Sequence, residues 1–161
     1  MYIEPFGNID IDNLEECYDS LLEVQGDDVE IDLNFDSESI ESSYLEHIKK
    51  FLSRIEILVK KAFEAMSDDF DLGEESEAVR LYLQHHLDEF DEGTIKEVFG
   101  TTEIDKQIFF KNLKLYRVGL YPEDAESFAI FDIQLPRKYT NYLIAVTFDR
   151  DGEYSHISME S

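Results

Sequence analysis

The densest group of potential ligands lies in residues 67–77, SDDFDLGEESE, where six of eleven side chains are carboxylates. Carboxylate oxygens suit Ca²⁺, but a calcium loop of the EF-hand type needs glycine at its sixth position and glutamate at its twelfth. Counted from Asp69, Asp71 fits the third position, whereas Gly73 is fifth and Arg80 is twelfth. The spacing therefore excludes an EF-hand loop and predicts a solvated connection between two helices.

A second group of potential ligands lies in HHLDEF, where His85 precedes Asp88 by three residues and Glu89 by four. Residues at these spacings share one face of a helix and could chelate a transition metal. Such a site needs a third ligand, and nothing in the sequence brings His47 or His156 close. We therefore predict no metal site and no cofactor. A small metal-dependent enzyme using His85, Asp88 and Glu89 is the alternative.

Nucleophilic chemistry has no recognisable motif in this chain. The G-x-S-x-G pattern and the glycine-rich nucleotide-binding patterns are absent. The single cysteine, Cys17, lies at helical spacing with Leu14, Tyr18 and Leu21, which predicts a buried and unreactive thiol. We therefore expect a protein without catalytic residues.

Net charge gives the strongest constraint on partners. The 161 residues carry a formal charge of −24, and residues 1–100 contribute −21 of it from twenty-eight acidic and seven basic side chains. Such a field repels nucleic acids and anionic membranes and attracts basic proteins, whose phosphate-binding grooves an array of carboxylates can occupy. The alternative is that the charge serves only solubility.

Two acidic groups are the predicted contacts for a basic partner. Both groups lie within residues 1–100, which carry most of the negative charge. A rigid α+β domain would hold them at its surface, where a partner could contact them. The first group consists of Asp68, Asp69, Asp71, Glu74 and Glu75, and the second consists of Asp88, Glu89, Asp91 and Glu92.

Apolar spacing predicts three helices and one strand in residues 1–100. Intervals of three and four residues predict helices over residues 13–24, 37–66 and 76–90. Ser76 is the predicted N-cap of the third helix, and Gly93 is predicted to end it. Residues 29–36 alternate apolar and acidic or polar side chains, which indicates a half-buried strand with an acidic outer face.

A short helix from about residue 102 and four strand-like segments follow, the latter at residues 113–121, 127–135, 141–149 and 153–159. Their short connections, including the Asp151-Gly152 turn, predict an antiparallel meander. The predicted fold class is therefore α+β, with the meander and the N-terminal strand in one antiparallel sheet. A long amphipathic helix and shorter helices pack on one face of it. The length suits one domain over residues 1–161.

The predicted location is the cytoplasm. One cysteine forms no internal disulfide, which fits a reducing compartment, and the N-terminal segment lacks the basic and apolar regions of a secretory signal. No apolar run approaches the ~20 residues that span a bilayer.

The C-terminal block NYLIAVTFDRDGEYSHISMES resembles the closing block of a bacterial family known as domain of unknown function 2004. Members of that family end in a strand, an Asp-Gly hairpin, a second strand and a Met-Glu-Ser terminus. Residues 142–148, the turn Asp151-Gly152 and residues 159–161 correspond to these features. IDLNFD with the long helix, and AVRLYLQHHLDEF, are also similar. The resemblance implies no catalytic residue.

Small acidic bacterial proteins of this kind are associated, by analogy, with toxin–immunity loci. We therefore expect a bacterial, non-catalytic acidic protein that binds a basic partner protein. An immunity protein that docks its acidic surface on a nuclease toxin and blocks the toxin's groove would be one example.

Overall fold

The structure is a computed structural model, and it describes residues 1–161. Its elements, in chain order, are β1 (Tyr2–Ile3), β2 (Gly7–Asn8), β3 (Cys17–Val24), β4 (Asp27–Asn34), α1 (Ser42–Leu52), α2 (Ile55–Asp71), α3 (Val79–Glu89), α4 (Glu92–Phe99), α5 (Lys106–Lys111), β5 (Lys114–Leu120), β6 (Ala129–Gln134), β7 (Leu143–Phe148) and β8 (Tyr154–Glu160). A short 3₁₀ turn, Gly73–Glu75, joins α2 to α3.

Strands β3 to β8 form one six-stranded sheet in chain order, and β1 and β2 form a separate ribbon. Neighbouring strands of the sheet pair antiparallel, except for the parallel pair β4 and β5. All five helices lie in the connection between β4 and β5, which is long enough for a parallel crossover. The predicted α+β class and the C-terminal meander are therefore confirmed.

One face of the sheet carries the core. Alternation along β4 turns Val29, Ile31 and Leu33 to this face, and each is at most 1 % exposed. The helices pack against it, as Phe51 of α1 does with Phe131 of β6, whose ring centroid lies 6.3 Å away. Burying a side chain of this size contributes about 1.5–3 kcal/mol, so this layer holds the helices to the sheet.

The other face of the sheet, which we call the open face, points away from the helices. Strand pairing assigns side chains to it because directly paired residues share a face. The open-face positions are Cys17, Asp19, Leu21, Glu23, Asp28, Glu30, Asp32, Asn34, Lys114, Arg117, Gly119, Ile130, Asp132, Gln134, Leu143, Ala145, Thr147, His156, Ser158 and Glu160.

The prediction of a helix over residues 13–24 was wrong, because most of this segment forms β3. A two-residue turn at Gln25 and Gly26, with φ of 53° and 87°, folds β3 back on β4. Two successive positive φ values are the geometry of the type I′ hairpin turn, whose twist suits paired strands.

The prediction that Cys17 is buried was also wrong. Cys17 begins β3 on the open face of the sheet and is exposed. Partial burial, followed by the Asp19 carboxylate, raises the pKa of its thiol, which disfavours the reactive thiolate.

The predicted long helix over residues 37–66 is two helices. The chain leaves helical geometry at Arg54 (φ −113°, ψ 11°), and the hydroxyl of Ser53 donates to the Lys50 carbonyl at 2.7 Å. Serine hydroxyls compete in this way with backbone hydrogen bonds at helix ends.

The prediction that Gly93 ends the third helix was wrong, because Gly93 lies inside α4. Asp91 caps α4 by accepting from the Thr94 N–H at 2.7 Å.

Candidate functional site

The acidic stretch is divided between the interior and the surface. Asp69 is only 5 % exposed, and its carboxylate accepts from the Ser76 hydroxyl at 2.6 Å. It also accepts from the N–H groups of Glu77, Ala78 and Val79 at 2.7, 3.3 and 2.8 Å. These donors lie at the start of α3, where the helix itself supplies no acceptor. Asp69 therefore caps α3 from inside, and the interior position removes it from the predicted docking contacts.

The ionisation of Asp69 is governed by two opposing effects. Burial is the largest influence and disfavours the charged form, but the hydrogen bonds from Ser76, Val79, Glu77 and Ala78 together lower its pKa. The carboxylate is therefore held ionised by the groups that it caps.

The rest of the first acidic group lies on the surface. Asp71 forms an ion pair with Lys106 at 2.7 Å. Asp68 is exposed and lines a cavity of about 370 Å³. Glu74 and Glu75 are exposed in the 3₁₀ turn and form no ion pair. Three of the five predicted contacts, Asp68, Glu74 and Glu75, are therefore free to meet a partner.

Local contacts occupy most of the second acidic group. Asp88 accepts from the Gln84 amide at 2.7 Å, and Glu92 pairs with Lys96 at 2.8 Å. Asp91 caps α4, and the Thr94 N–H holds the pKa of its carboxyl below the usual range. Glu89 is exposed and has no partner. The two acidic groups flank opposite ends of α3, whose 11 residues span about 16 Å.

The residues of the alternative metal site lie on α3 without a third ligand. The His85 ring is tilted against the Tyr142 ring at a centroid distance of 4.3 Å, and Asp88 is engaged by Gln84. No group of three or more His, Cys, Asp or Glu side chains is arranged to hold a metal ion. His85 is therefore packed against an aromatic ring, Asp88 is held by a hydrogen bond, and Glu89 points to solvent.

The neighbouring histidine, His86, is buried at 1 % exposure. Its Nδ1 lies 2.7 Å from the Tyr82 carbonyl, to which it donates, and its Nε2 accepts from the Thr140 hydroxyl at 2.7 Å. Burial, the largest effect, lowers the pKa of His86, and nearby His85 lowers it further, although the Tyr82 carbonyl opposes both. His86 is therefore held neutral.

We expect the substitution His86→Gln to flatten the pH dependence of the free energy of unfolding below about pH 6.5. The unfolded chain takes up a proton on His86 in this range and the folded chain does not, so wild-type stability is complete above it and falls as the pH is lowered. Urea denaturation at pH 7.5 and 5.5 measures the slope. An unchanged slope in His86→Gln would contradict the neutral state of buried His86.

A buried charge cluster occupies the centre of the open face. Arg117 Nε and Nη2 donate to the two carboxylate oxygens of Asp32 at 2.5 and 2.7 Å, and Nη1 donates to Asp132 at 3.0 Å. The Tyr121 hydroxyl accepts from Nη2 at 3.0 Å. A Cβ at position 119 would lie 2.6 Å from Nη2, so Gly119 lets the guanidinium lie flat on the sheet. The cluster joins β4, β5 and β6.

Burial and ion pairing compete within this cluster. Burial is the largest influence on Asp132 and raises its pKa, although Arg117 opposes the shift. Burial also disfavours the charged Arg117, but hydrogen bonds to Asp32, Tyr121 and Asp132 outweigh it and raise the pKa of the guanidinium. The net effect is therefore a raised pKa for Asp132, because of burial, and a raised pKa for Arg117, because of its hydrogen bonds. The positive charge of Arg117 is therefore retained, and it is already matched by two carboxylates.

Next to this cluster, the β3–β4 half of the open face is acidic and exposed. Asp19, Glu23 and Asp28 are exposed and form no ion pair, and Glu30 forms a bidentate pair with Arg137 at 2.7 and 3.1 Å. Between Asp19 and Glu23 lies Leu21, which is 59 % exposed. We call Asp19, Leu21, Glu23 and Asp28 the acidic face. It combines an apolar side chain with unpaired carboxylates.

Sequence reasoning missed the acidic face because it placed residues 13–24 in a helix. A usable signal is present, since Cys17, Asp19, Leu21 and Glu23 alternate with Tyr18, Ser20, Leu22 and Val24. The turn that follows them leads into the strand at residues 29–36. A hairpin interpretation of residues 17–34 would have placed these carboxylates together.

Comparisons with family models, with curated proteins and with solved structures found no match. Membership of the domain of unknown function 2004 family therefore stays a prediction. None of the helices combines the length and apolar character that crossing a membrane requires.

Proposed function

We propose that this protein is a non-catalytic acidic binding protein, of the immunity type, that holds a basic partner protein through its acidic face. The observation that supports this most directly is the exposed Leu21 flanked by Asp19 and Glu23. These side chains lie on the side of the sheet away from the helices, so a partner can reach them without rearrangement of the fold.

Unpaired charge supports a partner of opposite sign. Eight ion pairs engage eight of the thirty-eight acidic side chains. The many carboxylates that have no cation within the chain favour the approach of a basic protein and speed its encounter. Screening by salt, with a Debye length of about 10 Å at 0.1 M, weakens this long-range part first.

Leu21 lies within a row of exposed carboxylates, and this arrangement fits a docking surface. Solubility calls for charge, and an exposed leucine works against it. In an interface, by contrast, a central apolar side chain within a polar rim supplies contact energy that salt does not screen. A partner that contacts Leu21 should therefore stay bound when salt screens the surrounding carboxylates.

Two charge-reversal variants test the location of the docking surface. Asp19→Lys/Glu23→Lys alters the acidic face, and Glu74→Lys/Glu75→Lys changes the net charge equally at exposed residues of the predicted contact groups. The readout is capture of partners from a lysate of the source organism at low and high salt, followed by mass spectrometry. Wild type and Glu74→Lys/Glu75→Lys should retain one basic protein at high salt. At low salt, where these charges are least screened, Asp19→Lys/Glu23→Lys should capture at least about tenfold less of this protein than the wild type does.

The other outcomes would contradict the proposal in different ways. Loss of the partner in Glu74→Lys/Glu75→Lys alone would favour docking at the end of α3 instead of at β3. A mixture of basic proteins that salt removes equally from all three proteins would indicate that the acidity serves solubility.

A further inference from the structure

Strand β3 is an edge strand, since only β4 pairs with it. The Phe35 N–H donates to the Glu16 carbonyl at 2.9 Å, and the two-residue turn at Gln25 and Gly26 closes the hairpin. In an antiparallel pair, hydrogen-bonded and non-hydrogen-bonded positions alternate. The even-numbered positions of β3 therefore bond to β4, and the odd-numbered positions turn their N–H and C=O groups to the free edge.

The free backbone groups belong to the residues that form most of the acidic face. Cys17, Asp19, Leu21 and Glu23 have odd numbers, and their side chains lie on the open face. No backbone hydrogen bond from a turn, loop or cap reaches these four residues. The N-terminal ribbon contacts β3 through Ser20, whose hydroxyl donates to the Pro5 carbonyl at 3.0 Å, and Ser20 faces the helices. The edge is therefore open along its acidic part.

We propose that an extended segment of the partner, with lysine or arginine at alternate positions, adds to β3 as an antiparallel seventh strand. This inference depends on the proposed function and specifies how the partner binds. In antiparallel pairing, the partner residues whose N–H groups point at β3 place their side chains on the open face, opposite Asp19, Leu21 and Glu23. Main-chain hydrogen bonds then supply affinity, and the alternate cations supply selectivity.

The carboxylates of β3 make a second copy of this chain an unfavourable partner for the free edge. Two β3 edges paired with each other would bring the carboxylates of Asp19 and Glu23 together, and like charges directly opposite are unfavourable. The other edge strand, β8, carries His156, Ser158 and Glu160 on the open face, so it has a single carboxylate there instead of an acidic row. A basic strand at β3 is therefore the complementary occupant.

Backbone methylation of a defined peptide tests the pairing. The probe is a ten-residue peptide of alternating lysine and valine. One version is N-methylated at the lysines and a matched version is N-methylated at the valines. Binding is measured by titration with ¹⁵N-labelled protein and by amide hydrogen exchange. The unmodified and valine-methylated peptides should bind and protect the N–H groups of Asp19, Leu21 and Glu23 from exchange. Methylation of the lysine nitrogens removes the peptide N–H groups that point at β3, and it should weaken binding about tenfold or more.

Equal binding of all three peptides would overturn strand addition and leave the proposed function standing, because charge alone would then explain the affinity. Loss of binding on valine methylation instead of lysine methylation would also overturn it. No binding of the unmodified peptide would overturn strand addition, whereas the proposed function is decided separately by the charge-reversal variants.

A variant of the protein gives a second test. Leu21→Pro removes a donor at the free edge without removing a hydrogen bond to β4, and edge strands tolerate proline at such positions. Circular dichroism should show that both variants keep the wild-type fold. Leu21→Pro should then no longer bind the peptide. Leu21→Ala should still bind it and protect the N–H groups of Asp19 and Glu23 from exchange. Equal binding by Leu21→Pro and Leu21→Ala would contradict strand addition.

Discussion

Replacing Asp69 with alanine is expected to lower the free energy of unfolding by about 3–5 kcal/mol. The carboxylate accepts hydrogen bonds from the Ser76 hydroxyl and from three N–H groups at the start of α3. Its removal leaves these buried donors without an acceptor, and each such loss costs about 1–3 kcal/mol before water and relaxation compensate. Urea denaturation at neutral pH measures the effect.

The matched control is the neighbouring Asp68→Ala, which changes the charge equally at an exposed position and should alter the free energy of unfolding by at most about 0.5 kcal/mol. Similar losses in both variants would contradict the capping role.

The pH dependence of the free energy of unfolding tests the capping role in a second way. Because the folded-state pKa of Asp69 is lowered, its contribution is present above the ordinary value of 3.8 and is lost as the pH falls through the folded-state pKa. Asp69→Ala should lack this acid-dependent loss.

Replacing Arg117 with methionine is expected to cost about 3–5 kcal/mol, because it leaves two buried carboxylates without a positive charge. Asp32 and Asp132 are each 7 % exposed. The comparison variant is Arg137→Met, which breaks an exposed bidentate pair with Glu30 and should cost no more than about 1 kcal/mol. Denaturation curves for the two variants give the difference directly.

Neutralising the carboxylates distinguishes lost charge compensation from lost packing. Asp32→Asn/Asp132→Asn introduced together with Arg117→Met should recover part of the lost stability, since no buried charge is then unpaired. A triple variant that is less stable than Arg117→Met alone would contradict this explanation. Equal costs for Arg117→Met and Arg137→Met would show that the cluster contributes no more than a surface pair.

The parts of the fold that the sequence predicted are those where the side-chain period and the turn signal agree. Val29, Ile31 and Leu33 alternate strictly, and Asp151-Gly152 separates two alternating segments, so β4 and the β7–β8 hairpin were predicted. Residues 13–24 were mispredicted because apolar side chains at 14, 17, 18, 21 and 22 fit a helical stripe as well as two faces of a strand. Pairing with β4, which is not visible locally, decided between the two.

The candidate site depended on relations that are distant along the chain. Asp69 caps a helix that begins ten residues later, and Arg117 lies eighty-five residues from Asp32. The acidic face arises only when the hairpin register turns Asp19, Leu21 and Glu23 to the same side. Composition predicted an acidic surface and a basic partner, but only the register shows which carboxylates share a face with an apolar side chain.

Site-specific photo-crosslinking tests the central claim most directly. A photoreactive amino acid is placed at position 21 in one variant and at position 57 in another, since Leu21 and Ile57 are both 59 % exposed and Ile57 lies on α2. The proposal predicts one discrete adduct with a basic protein at position 21 and none at position 57 when the source cells are irradiated. Adducts of equal yield at both positions, or none at position 21, would contradict it.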